Sequence, residues 1–483
     1  MGLIAILLAL GGLIFLAFRG ASLLFLAPLM AVLAALLGGG IPALGGYTQI
    51  FMSGMGGFVV AYFPLFLLGA IFGRLMDDSG AAASVARFVT RQLGCERAIL
   101  ALVMCCAILT YGGVSLFVVA FAVFPIATAL FRAGDIPKRL IPAALTLGAF
   151  TFTMSALPGT PAIQNAIPMP FFGTTAFAAP GLGVIAGLIM LTFGVAWLNR
   201  RARLAKAAGE GYGRHDDGLP AADARTAEGA IRDGFDLREI GTAPGDRAGP
   251  PPLWLSLLPV VVVVLVNLAF VQAVAPRLDV SYLATPAYGE TTIEAVRGLW
   301  SIIVALVSAI LVLIATNFRR IPRLAESLNG GANAAVIPIA NTASLVGFGS
   351  VIAAMPAFDA IGMTLTNLGA FNPLVSLSVA VNVLSAVTGS ASGGMSIALD
   401  SLGPTYVELA RAQGVSLEAM HRVTSISSGA LDALPHNGAV ITVLGICKLG
   451  HRDSYADIFV VAVIGPLVAL ACILALATFV GTF

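Results

Sequence analysis

The chain has 483 residues, of which 58% are hydrophobic and 10% charged, and its mean hydropathy is +0.97. A surface that apolar does not dissolve, so the composition excludes a soluble fold and predicts an all-α integral membrane protein. The formal net charge of +2 and basic residues clustered loop by loop exclude a nucleic-acid binder. The five cysteines, Cys95, Cys105, Cys106, Cys447 and Cys472, have neither metal-ligand spacing nor a disulfide framework and read as small helix-packing residues.

The start, MGLIAILLALGGLIFLAF, lacks a basic leader and a small-residue cleavage site and reads as a first span. Apolar runs long enough to cross a core about 30 Å thick follow at 3–18, 22–37, 57–75, 140–167, 180–198, 253–275, 297–316, 333–353, 420–447 and 456–480. Two of them, 140–167 and 420–447, are interrupted. The interruptions are SALPGTPAIQNAI at Ser155–Ile167 and SGALDALPHNGAV at Ser428–Val440. Proline and glycine beside polar side chains are tolerated at membrane depth only where the backbone lines a protein cavity. Both segments are therefore expected to be broken helices.

Two further apolar stretches, 97–131 and 371–403, are too long for one span and carry glycine-rich midpoints at Tyr111–Ser115 and Thr388–Gly394. They are predicted to be re-entrant hairpins. The order then repeats: three spans, an amphipathic stretch (76–93, then 356–369), a hairpin, a broken span and a final span. Each repeat has five crossings, an odd number, so residues 1–198 and 253–483 are expected to be inverted repeats. Between them, 199–252 is rich in Gly, Ala, Pro, Arg and Asp and reads as a flexible linker. Its His215, Asp216 and Asp217 read as a solvated polar run, so no metal site is expected.

Loop charges set the orientation. The stretch 38–56 has no charge, whereas 74–97 carries Arg74, Arg87, Arg91 and Arg97. The linker is then cytoplasmic and both termini extracytoplasmic, with only Arg277, Arg297, Arg411 and Arg422 left outside.

A carboxylate entering such a site needs hydrogen-bond donors without a permanently buried countercharge, and half-helix N-termini supply them. The candidate substrate-binding residues are Gly112, Gly113, Ser115, Thr160, Gln164 and Asn165 in the first half. In the second half they are Ser390, Ser392, Gly393, Gly394, His436 and Asn437, with Ser396 and Thr442 nearby. Asp432 and His436, four apart and on one face if the segment is helical to Pro435, are the candidates for proton coupling. Sodium held by carbonyls and hydroxyls at the same tips is the alternative. Asp400 reads as a cap or interfacial charge, and Asp77 and Asp78 as helix-start or interface charges. No nucleophile motif, cofactor loop or nucleotide-binding motif appears, which argues against an enzyme or an ATP-driven pump.

FGRLMDDSGAAASVA (72–86), LTYGGVSLFVVAFAVFPIA (109–127), SALPGTPAIQN (155–165), VTGSASGGMSIAL (387–399) and SGALDALPHNGAVITVLGICKLGHRDSY (428–455) resemble the GntP family of gluconate:proton symporters, within the ion transporter superfamily. The likeness covers nearly everything but the linker. It implies proton-coupled uptake of a small organic acid without a cofactor. It also implies an inner-membrane location, paired hairpins with a moving transport domain on a scaffold, and a homodimer. The motifs look closer to a hydroxybutyrate-associated branch than to the gluconate permeases, whose tip sequences differ.

Overall fold

The computed structural model describes residues 2–18, 21–215, 251–358, 372–435 and 437–483. Among them every regular element is a helix. Six helices are each long and apolar enough to cross a membrane: Ala43–Asp78, Pro180–Ala207, Leu253–Arg277, Ile293–Arg320, Leu324–Ala353 and His451–Phe479. Gly2–Phe18 and Leu23–Gly38 are apolar but shorter, at 17 and 16 residues. Large apolar side chains such as Leu7, Leu36, Val60, Leu188, Leu311 and Phe479 are exposed on the outside. Lipid tails cover such a surface without the cost that water would impose.

The helices pack into two groups. One holds Gly2–Phe18, Leu23–Gly38, Ala43–Asp78, Leu253–Ala269, Ile293–Asn317 and the helices of 324–353. The other holds both helix pairs, both interrupted helices and the long helices Pro180–Ala207 and His451–Phe479. The groups meet chiefly where Val336–Ala353 packs on Ala391–Ala412.

The first helix pair is Ala98–Tyr111 and Leu116–Ala133. Its turn needs Gly113, whose φ of +98° is left-handed territory for other residues and whose Cα faces Pro161 so closely that a Cβ would lie 3.0 Å from Cγ. Ser115 caps the second helix, its Oγ accepting from Val118 N–H at 3.4 Å. The second pair is Pro373–Thr388 and Ala391–Ala412, turned at Gly389 and capped by Ser390, whose Oγ accepts from Gly393 N–H at 3.1 Å. Asn372 and Pro373 start this pair, the Asn372 carboxamide oxygen taking the N–H groups of Leu374 and Val375.

Both interrupted helices are open in the middle. The first runs through Ile141–Ala149 and Phe152–Ser155, opens, and resumes in short turns at Ile163–Ala166 and Pro168–Phe172. The second stops at Ala430 and resumes at Gly438.

Three local expectations change. The uncharged stretch 38–56 is mostly helix, because Ala43–Asp78 begins early and leaves only 39–42 as connection. Asp77 and Asp78 end that helix rather than start one, Asp78 pairing back to Arg74 Nε at 2.8 Å. The amphipathic helix is Ala81–Leu93, bent by 102° from the helix that follows. Its second-half counterpart, 356–369, lies almost wholly outside the described residues.

Helix Pro180–Ala207 continues into the expected linker, and the next residues fold back onto the first helix pair. Glu210 takes Arg139 Nε at 2.7 Å and Nη2 at 2.9 Å, and Asp135 Oδ1 accepts from Tyr212 N–H at 3.0 Å. Asp457 of the last helix, 2% exposed, joins them by accepting from Arg139, Arg201 and Trp197. At the other end, Pro251 O accepts from Ser84 Oγ at 2.6 Å. Residues 216–250 lie outside the described residues.

Candidate substrate cavity

The two tips and the two interruptions converge on one cavity of about 270 Å³. At roughly 30 Å³ of liquid volume per water, it has room for a small acid and a few waters. Gly113 and Ser115 reach it from the first tip, Ser390 and Ser392 from the second, Gln164 from the first interruption, and Asp432 and Asn437 from the second. These are residues predicted from the sequence, brought from stretches over 300 positions apart.

Five predicted residues sit behind the wall instead. Gly112 packs its backbone against Val260, and Thr160 is fully buried, with Oγ1 accepting from Ala162 N–H. Gly393 faces Leu345, and Gly394 abuts the backbone of Ser385 in the partner helix. Asn165 is fully buried: its Nδ2 donates to Thr160 O and Ala176 O, each at 3.0 Å, and its Oδ1 meets Arg422 Nη1 and His421 Nε2 at 3.1 Å. Ser396 and Thr442 are buried behind the cavity as well.

His436 lies outside the described residues. The condition under which Asp432 and His436 would share a face, a helix running to Pro435, is not met, because the chain has already left the helix at Ala430 and runs irregularly through 431–435. Two proline-rich breaks cannot both open the backbone for a site and keep its side chains in helical register. Asp400 is neither a cap nor at an end. It sits inside helix Ala391–Ala412, on an exposed face.

Asp432 is 4% exposed, and every partner it has among the described residues is neutral. Asn437 Nδ2 donates to its Oδ1 at 2.9 Å, and Ala391 N–H, at the start of the second tip's helix, donates to the carboxylate as well. Asn437 is fully used: Nδ2 also reaches Gly389 O at 2.9 Å, and Oδ1 caps Val440 N–H at 3.1 Å. On the other side of the break, Pro435 O accepts from His451 Nε2 and Ala433 O from Tyr455 Oη.

Several wall residues escaped the sequence reading. Asn341 and Thr342 enter from helix Val336–Ala353, and Thr110 from the end of Ala98–Tyr111. The pair Asn341–Thr342 interrupts an otherwise apolar run, a signal that adjacent polar residues at membrane depth provide. Arg422, assigned to the outside by loop charge, is 0% exposed within helix Leu417–Ala430 and donates to Ala176 O, Ala178 O and Asn165. No group of three or more His, Cys, Asp or Glu among the described residues could hold a metal ion.

A polytopic helical protein in which paired tips and broken helices enclose a small, largely apolar cavity set with a few polar groups is built as a membrane transporter. Comparison with known proteins places it further. The GntP family permease model matches residues 1–208. The chain is 42% identical over 479 residues to the uncharacterized transporter YxjC of Bacillus subtilis, covering 98% of both chains. It is 39% identical over 80 residues, 17% of each chain, to the inner membrane permease YgbN of Escherichia coli. Its fold is similar to the crystal structure of the Alcanivorax borkumensis YdaH transporter, described as having an unusual topology, with a TM-score of 0.56 at 16% identity over 91% of this chain and 89% of that one. The chain belongs to the GntP permease family and is a transporter, not an enzyme.

Proposed function

We propose that the protein is a proton-coupled symporter that takes up a small organic acid anion, 3-hydroxybutyrate or a related short hydroxy or keto acid. Sugar acids such as gluconate are the next class. The observation that carries this reading is Asp432: a carboxylate in the wall of the cavity, bonded only to neutral donors among the described residues. An anion cannot settle beside a second, uncompensated anion in a low-dielectric cavity without cost. A proton on Asp432 removes that repulsion, so cargo and proton load together. Sodium bound at the tip carbonyls and hydroxyls would do the same and is the alternative driver.

In this reading the protein lies in the inner (plasma) membrane as a homodimer, with both termini extracytoplasmic, residues 199–252 cytoplasmic, and the two halves acting as inverted repeats with re-entrant tips.

The test uses purified protein in proteoliposomes, a panel of labelled C3 to C6 acids, and imposed pH or sodium gradients. Asp432→Asn should lose pH-driven accumulation while still exchanging labelled for unlabelled acid, because exchange needs no net proton movement. Wild-type accumulation by a well-expressed Asp432→Asn protein in sodium-free buffer would remove Asp432 from coupling.

A further inference from the structure

The two tips are built alike but are not equivalent. At the second, the amide end of helix Ala391–Ala412 already holds a carboxylate, since Ala391 N–H donates to Asp432. At the first, the amide end of the 18-residue helix Leu116–Ala133 opens on the cavity through Ser115 and Leu116. The first amides of a helix have no intrahelical acceptor and carry its positive end.

Independent observations mark that end as the place for an anion. Thr110 Oγ1 and Gln164 Oε1 both belong to cavity-lining residues, 4% and 7% exposed, and neither atom has a hydrogen-bond partner. A buried polar atom left unmade is costly; the Thr110 hydroxyl can donate to a carboxylate, while Gln164 Oε1 accepts and suits the hydroxyl of a hydroxy acid, leaving Gln164 Nε2 as that side chain's donor to the carboxylate. Behind them stands the fully buried guanidinium of Arg422, whose acceptors are all neutral. Glu418, one turn away on the same helix, points to the surface and accepts from Ala179 N–H. Arg422 reaches the wall through Asn165, the neighbour of Gln164, so its charge lies on the first tip's side of the cavity.

We propose that the two halves have divided the work. The cargo carboxylate docks at the first tip, on the Leu116 amide end with Thr110 and Gln164. The second tip is reserved for Asp432 and the coupling proton. Arg422 is a positioning residue that fixes the interruption and biases that side towards anions. This assignment rests on the organic-anion reading and names where in the cavity the anion sits.

The test measures counterflow of labelled 3-hydroxybutyrate, or of whichever C3 to C6 acid wild type carries, by full-length protein in proteoliposomes across pH 5.5 to 8. Thr110→Val and Gln164→Leu should each raise KM about ten- to hundredfold, the size of one hydrogen bond to a charged group. Their pH profiles should keep the wild-type shape. Gln164→Glu, nearly the same size, should abolish acid transport while melting like wild type in detergent, which keeps the test sound if Gln164→Leu folds poorly. Ser392→Ala, on the second tip, should raise KM less than either first-tip variant does. Unchanged KM in both first-tip variants, or a KM rise confined to Ser392→Ala, overturns the assignment. If wild type carries none of the acids, the transport reading fails first and is recognised by that result alone.

Discussion

Asn437 Nδ2 stands 2.9 Å from Asp432 Oδ1 and 2.9 Å from Gly389 O, so one amide ties the second interruption to the turn of the second helix pair. The first half has its own tie: Tyr111 Oη donates to Pro158 O at 2.7 Å. Each tip is fastened to its own half's interruption by one side chain reaching one backbone carbonyl. In the second half alone, that side chain also holds a carboxylate.

Replacing Asn437 separates these duties. Asn437→Asp keeps an acceptor for Val440 N–H, since Asp and Asn cap helices equally well, but sets a second carboxylate against Asp432. The protein should lose transport at neutral pH and melt below wild type there, because Asp432 and Gly389 O both lose their donor. Asn437→Ala removes the cap and should cost about 0.5–2 kcal/mol, read as a lower melting temperature in detergent. An Asn437→Asp protein with wild-type exchange would show that this amide does not control Asp432.

Gly394 is predicted to matter for packing rather than for cargo. A Cβ there would collide with the backbone N and Cα of Ser385. Gly394→Val should therefore push the two helices apart and destabilise by roughly 1–3 kcal/mol. Gly393→Ala meets only side chains, Leu345 Cδ1 at 2.9 Å and Ser390 Oγ at 3.2 Å, and should cost less. Melting curves that rank the two in the opposite order would contradict the close approach.

The fold-back after Pro180–Ala207 gives a pH dependence. The bonds from Arg139 hold the Glu210 carboxyl below its ordinary range. A carboxylate depressed in the folded state contributes stability above its unfolded pKa and loses it as pH falls through the folded one. Glu210 is 42% exposed, so the contribution is small, about 0–1 kcal/mol. Glu210→Gln should lower the melting temperature slightly at pH 7, and the gap to wild type should close as the pH drops below about 4. A gap that widens with acid would reverse the sign argued here.

Orientation is tested by reporters. A fusion after Ala207 should read cytoplasmic, and one in the 39–42 connection extracytoplasmic. Two reporters on the same side would end the inverted-repeat arrangement.

The interruptions and tips were legible because lipid forbids unsatisfied backbone, so Pro158, Pro435 and the glycines of 112–113 and 389–394 announce themselves wherever they fall. Which face each helix turns to the cavity was not legible, since an apolar run has no polar face to read. Asn165 and Asn437 occupy matching places in matching motifs, yet one is buried against Arg422 and the other lines the cavity. Asn165 Oδ1 meets His421 and Arg422 from more than 250 positions away, whereas every partner of Asn437 among the described residues lies within 50. Arg422 misled for the same reason. Loop charge counting assumes a solvated cation, and the carbonyls of Ala176 and Ala178 that bury this one belong to the other half of the chain.

The cavity wall has two textures. Its hydrogen-bonded parts, the tips and interruptions, are fixed by backbone turns, caps and the two ties. Phe150, Met154 and Leu345 form an apolar wall beside them, held by packing alone. A lineage can therefore enlarge or shrink the chamber one side chain at a time, trading one cargo for another of different length, while the frame that recognises and couples is inherited unchanged.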